Sequence, residues 1–191
     1  MSQKERGILY FFLALHRHDA RARQAAENIF KKLNGPESRA YLGSIQTLKA
    51  RDFAGGGALQ AITNLTPLGF IRIGYVQSGA GMLDEAVKDN PDNFEIRLIR
   101  ANTYLGLPST FGRFKDGYKD MTLVLEWMEK GKIALPDEDE YFRDKPYVYY
   151  TAGEYFLRAG EADKAREMFL RSSALAPHSP YAAAARKRRL E

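Results

Sequence analysis

Proline and glycine break this chain at short intervals, and the room left between the breaks suits helices and little else. The breaks stand at Asn34-Gly35-Pro36, Ala54-Gly55-Gly56-Gly57, Asn90-Pro91-Asp92, Gly106-Leu107-Pro108, Leu135-Pro136-Asp137, Ala159-Gly160 and Pro177-His178-Ser179-Pro180. Proline lacks the amide donor that a helix interior needs, and glycine enters the left-handed region that closes a helix. The intervening segments are of helix length and carry apolar residues at helical spacing. Long alternating β-branched runs are missing, and no Asn-Gly or Asp-Gly turn joins two strand-like segments. The reading is all-α, with helices over 3–17, 20–33, 37–53, 67–89, 93–106, 112–132, 141–159, 161–175 and 179–190. Short turns pair these as antiparallel hairpins at about 3–33, 37–89, 93–132 and 141–175, with a last helix at 179–190, in one domain over 1–191.

An internal repeat is clearest from Pro146 to Pro177. Tyr149, Ala152, Gly153 and Phe156 follow an aromatic, small, glycine, aromatic spacing, and Ala165, Phe169, Ser172 and Pro177 continue it. The logic is physical: small residues let two helices of a hairpin cross closely, large ones fill the gaps between neighbours, and the proline stops the second helix. Gly79, Leu83, Ala86 and Pro91 repeat the second-helix part, as do Gly117, Met121 and Val124. Ala101 and Tyr104 match the first-helix part. This pattern resembles the tetratricopeptide repeat, whose period is about 34 residues. The resemblance implies a short superhelix of stacked hairpins closed by a C-terminal capping helix. It also implies a peptide-binding concave face built from first-helix residues, which here are Leu98, Asn102, Leu105, Tyr147, Tyr150, Glu154, Leu157 and Arg158. The lysine-and-asparagine clamp that some members use for carboxylate tails is not reproduced.

Two stretches depart from a regular array: 54–66, rich in glycine and polar residues, and Leu107–Gly112 (LPSTFG), longer than a standard turn. In the third hairpin Arg97 and Arg100 stand where the family has an aromatic and a leucine. Three residues apart, they share a helix face. Repeat register turns that face inward, where a guanidinium needs a carboxylate or carbonyl. Asp84, Glu85, Asp116 and Asp120 are the acids in reach. The expectation is an internal salt-bridge lattice, with an anion pocket that also uses Asn102 and Arg113 as the alternative.

No catalytic set emerges. The chain has no cysteine, which removes disulfides, thiolate metal sites and a thiol nucleophile. His16 and His18 lie two apart, which points them to different faces, and they read as solvated residues near a helix end. Gly55-Gly56-Gly57 lacks the lysine and the preceding strand of a phosphate loop. The acidic run Asp137–Glu140 lacks the alternation and glycine of a calcium loop and suits a helix start. No enzyme activity, cofactor or metal is expected.

The net charge of +5 gathers at the end, where Arg186, Lys187, Arg188 and Arg189 hold four of the positives. That makes nucleic acid an unlikely partner, because the body of the chain has no basic face. Tyr181 and the following alanines should cover the last hairpin while this basic end stays in water. The longest apolar run, Ile8–Leu15, is far too short for a transmembrane segment. Glu5 before it and His16-Arg17-His18-Asp19 after it do not fit a signal peptide. The run reads as a buried first helix of a soluble protein, cytoplasmic, or periplasmic if a native signal peptide has been cut away. The expected function is a protein-protein interaction scaffold that holds a peptide or partner protein. A subunit of a permanent complex, or an adaptor that uses its basic tail on RNA or a membrane surface, is the alternative.

Overall fold

The structure, a computed structural model, describes residues 1–52, 67–137, 144–175 and 177–188. Among these residues it holds nine α-helices and no strand. They are α1 (Gln3–Arg17), α2 (Ala20–Leu33), α3 (Pro36–Asp52), α4 (Pro67–Asp89), α5 (Phe94–Leu105), α6 (Phe114–Glu129), α7 (Lys145–Arg158), α8 (Ala162–Leu175) and α9 (Pro180–Arg188). The expected segment 54–66, the acids Glu138–Glu140 and the expected helix start at 141 lie outside the described residues.

Side-chain caps explain where several of these helices begin. Ser2 and Glu5 form a capping box, with Glu5 N donating to Ser2 Oγ at 3.1 Å and Ser2 N to Glu5 Oε2 at 2.6 Å. Asp19 Oδ1 accepts from Arg21 N and Ala22 N. Asp144 Oδ1 accepts from Tyr147 N at 2.9 Å, so α7 starts at Lys145 rather than at 141. Ser179 Oγ takes Ala182 N at 3.0 Å and starts α9. At the other end of α6, Gly131 adopts φ 69°. Lys132 N then bonds Trp127 O at 2.8 Å, which stops α6 at Glu129 instead of 132. The extra residues after α5 fold as one 3-10 turn, Ser109–Phe111, closed by Gly112 at φ 66°.

The chain divides into two compact units, Met1–Thr103 and Tyr104–Glu191. In unit 1, α3 and α4 run antiparallel: Arg39 pairs with Asp89 at 2.9 Å near one end, and Arg72 Nε donates to Ala50 O at 3.0 Å near the other. Their centres meet backbone to backbone. A methyl on Gly43 would lie 2.8 Å from Gly79 O, and one on Gly79 only 2.5 Å from Gly43 O. α1 and α2 close over the same core. Phe30 stacks on Tyr41 at 4.3 Å, and Phe11 meets Tyr41 edge-on at 5.2 Å.

Two buried carboxylates tie unit 1 together. Glu95 of α5 accepts from Lys4 Nζ at 2.9 Å and from Tyr41 OH at 3.1 Å, joining three helices. Glu27 of α2 takes Lys31 and Lys49 at 2.8 and 2.9 Å. Burial alone raises the Glu27 pKa, but the hydrogen bonds and charges of the two lysines outweigh it, so the carboxyl titrates below its ordinary 4.5. A depressed folded pKa stabilises the fold above the unfolded value, and that contribution is lost as pH falls through the folded one. Glu27→Gln should therefore cost about 1–3 kcal/mol at neutral pH. The difference from wild type should shrink toward zero in acid, as read from urea unfolding across the pH range. A penalty that is unchanged in acid would show that the charge of Glu27 plays no part.

In unit 2, α7 and α8 also run antiparallel. Ser172 Oγ donates to Pro146 O at 2.8 Å, and a methyl on Gly153 would lie 2.5 Å from the Phe169 ring. The close crossing expected at Gly153 is thus filled by Phe169, one turn along α8 from Ala165. Phe114 and Tyr118 of α6 pack on Tyr155, with centroids 5.4 and 6.3 Å apart. Gly117 makes room for the Tyr155 hydroxyl and for Tyr104.

Candidate functional site

The residues assigned to a concave face lie in both units. In unit 1, Leu98 is buried at 5% exposure and belongs to the core. Asn102 is half-buried and turns back on its own helix, with Nδ2 donating to Leu98 O at 2.8 Å. Arg100 is only 12% exposed and bonds Asp84 Oδ1 at 3.0 Å, linking α5 to α4. This acid belongs to the set foreseen for it. Arg97, on the same helix face, instead sends Nε to Pro91 O at 2.6 Å and ties α5 to the turn before it.

In unit 2 the face of α7 is built at helical spacing from Tyr147, Tyr150, Glu154, Leu157 and Arg158. Its first half is covered by α9. The Tyr181 ring sits 4.8 Å from Tyr147 and 5.8 Å from Tyr150, and Phe169 approaches Tyr150 to 5.8 Å from another side. Arg188 grips Glu154 in a fork, Nε to Oε1 at 2.7 Å and Nη2 to Oε2 at 3.3 Å. Tyr147, read as groove-facing, is therefore a core residue. The capping helix and the groove lay claim to the same side chains, and the cap holds them. Arg186, Lys187 and Arg188 at the basic end of α9 are exposed, and two of them also bond within unit 2, Arg188 to Glu154 and Arg186 to Pro177 O at 2.8 Å.

Burial raises the pKa of Tyr147, of Tyr150 and of Tyr181, helped by Asp144 at the first and third and by Glu154 at the second. All three phenols stay protonated at neutral pH, so the cluster offers hydroxyl donors and ring faces rather than a phenolate base.

The second half of the α7 face is open. Leu157 is 44% exposed. Arg158 lies beside it, with its guanidinium 5.0 Å over the Phe114 ring and Nη1 donating to Leu105 O at 2.9 Å. Arg113 places a second guanidinium 5.8 Å from the Tyr104 ring, just before α6. Unit 2 thus brings Leu105 and Phe114 to Arg158, with Leu157 exposed one residue before it, and Phe114 is the member that sequence reasoning missed. The signal was present: an aromatic directly after Gly112 and Arg113, at the long turn Leu107–Gly112.

His16 is exposed, as read, and one side of its ring stacks on Phe12 at 5.8 Å with an 8° tilt. Desolvation by that neighbourhood, then the nearby Arg51 charge, lower its pKa and favour the neutral form. Among the described residues, no group of three or more His, Cys, Asp or Glu side chains is placed to hold a metal ion. No described helix is long and apolar enough to cross a membrane.

No known family, characterised protein or solved structure matches this chain. What the fold offers must come from its own geometry.

Proposed function

We propose that the chain is a helical-repeat interaction scaffold of the tetratricopeptide type, and that it docks a partner protein or peptide through the open half of the α7 face. The observation that carries this reading is a recurring crossing. In three helix pairs the first helix lays a glycine against the second: Gly7 on Ile29 and Phe30, Gly43 on Gly79, and Gly153 on Phe169. In a fourth, Gly117 of α6 lies on Tyr104 of α5. A device repeated hairpin after hairpin is what a repeat array requires, and such arrays act by presenting surface. Leu157 supplies exposed apolar area there, and the ring-backed Arg158 supplies a charge whose geometry is already set. The reading as a basic-tailed adaptor draws less support, because Arg186 and Arg188 are engaged within unit 2.

The test is site-specific photocross-linking in the native cell. A photoreactive residue at Leu157 should give a discrete adduct, lost when Arg158 is replaced by Glu. The same residue at Leu33, exposed to a similar degree at the end of α2, is the control. Identical adduct patterns from positions 157 and 33 would overturn the assignment.

A further inference from the structure

In its first turns helix α4 wears its polarity backwards. A helix packed on a core is expected to turn charged residues outward. At 100° per residue, Gly79, Val76 and Leu83 lie on the side of α4 packed against α3, and Arg72 lies on that side with its Nε on Ala50 O. The opposite arc begins with Phe70, 77% exposed, Ile71 at 46% and Ile73 at 41%. It continues through Gln77 and Ser78, which are exposed and uncharged. A methyl added at Gly74, in the middle of that arc, would meet nothing within 4 Å. In the sequence between Asp52 and Asp84 the only charged side chain is Arg72, although 28% of the whole chain is charged.

From this face we infer a second activity: the first turns of α4 insert into the interface of an uncharged, zwitterionic phospholipid membrane. Bulky apolar anchors beside a small, uncharged polar stripe suit the headgroup–acyl boundary, and loosely packed lipid most of all, because nothing on the arc depends on anionic headgroups. The other occupants fit less well. A second copy of the chain would have to rest on three side chains that offer on the order of 300 Å², with about 200 Å² for a whole aromatic. A stable dimer buries about 800 Å² on each partner, roughly 450–500 Å² of it apolar. A charged peptide or a nucleic acid would find no counter-charge on these first turns, because the charged members of the same arc, Glu85 and Lys88, come only after Leu83. The Gly43–Gly79 crossing anchors the inner half of α4, so the 23-residue helix, about 34 Å long, holds its apolar start fixed for insertion.

The test uses the full chain, whose lack of cysteine allows one label at one chosen place. Phe70→Cys carrying an environment-sensitive fluorophore should shift to the blue with small sonicated phosphatidylcholine vesicles, and less with large extruded ones. Leu33→Cys with the same label should not shift. In flotation, Phe70→Ser/Ile71→Ser/Ile73→Ser should lower vesicle binding about tenfold or more, with the far-ultraviolet spectrum kept and little effect of added salt. Unshifted fluorescence at position 70 would overturn the inference whether or not the triple variant folds. So would binding confined to anionic vesicles and abolished by salt, which would point to the basic end. A concentration-dependent dimer that the triple variant loses would assign the face to a second copy instead.

Discussion

Replacing Gly79 by alanine is expected to be the most damaging single-methyl change in unit 1. The added carbon would stand 2.5 Å from the carbonyl oxygen of Gly43 and 2.9 Å from Cγ2 of Thr47. The nearer obstacle is backbone, so no change of rotamer relieves it, and α3 and α4 must separate along a buried seam. Helix propensity runs the other way, since alanine in a helix interior gains up to about 1 kcal/mol over glycine. Overpacking costs about 1–3 kcal/mol or more, and a backbone obstacle puts this site at the upper end. The net loss should be about 2 kcal/mol. Gly81, two residues further on α4, has nothing within 4 Å of the same added carbon. Gly81→Ala should therefore keep the propensity gain and stabilise by up to about 1 kcal/mol. Urea unfolding followed by circular dichroism measures both, and equal midpoints would mean that the two backbones do not meet there.

The crossing at Gly153 should respond differently, because its obstacle is a side chain. A methyl there would lie 2.5 Å from Cε1 and 2.7 Å from Cδ1 of Phe169, a ring that is 2% exposed. Gly153→Ala should cost about 1–3 kcal/mol, because the ring has nowhere free to go. Phe169→Leu should cost a comparable amount through the space it leaves. In combination the new methyl enters the space that the ring vacates. The double variant should then be less destabilised than the sum of the singles by about 1 kcal/mol. Strict additivity in the thermal or urea midpoints would show that the two positions do not touch.

Much of this fold was legible because its signals are local. Helix ends follow from prolines and glycines a few residues away, and Ser2, Asp19 and Ser179 then cap the starts in the structure. The bridge from Arg100 to Asp84 was legible for a related reason. A guanidinium on an inward face needs an acid, and few acids were in reach. The α7 face was read less well. The family resemblance assigns Tyr147, Tyr150 and Glu154 to an open surface by counting along one helix. It cannot register that Tyr181 and Arg188 of α9 approach the same side chains, since that depends on tertiary docking. Glu95 is a similar case. An acid in the first turn of a helix reads as a dipole partner. Nothing near it in sequence announces Lys4, 91 residues away, or Tyr41.

Arg51 sits at the end of α3 and completes α1. Its Nη1 and Nη2 donate to the carbonyls of Leu15 and Ala14, each at 2.8 Å, while Nε holds the neighbouring Asp52 at 2.9 Å, and Asp52 faces Arg23 of α2 at 3.3 Å. The last turn of the first helix is thus finished by a residue that the ribosome adds some thirty-five positions later. A helix hairpin can be duplicated, deleted or spliced by recombination as an interchangeable part only if it holds its own bonds. The α1–α2 hairpin of this chain is not such a part. A shuffling event that carried it elsewhere without α3 would leave two helix-end carbonyls uncovered, so any piece that keeps α1 finished must run at least through Asp52.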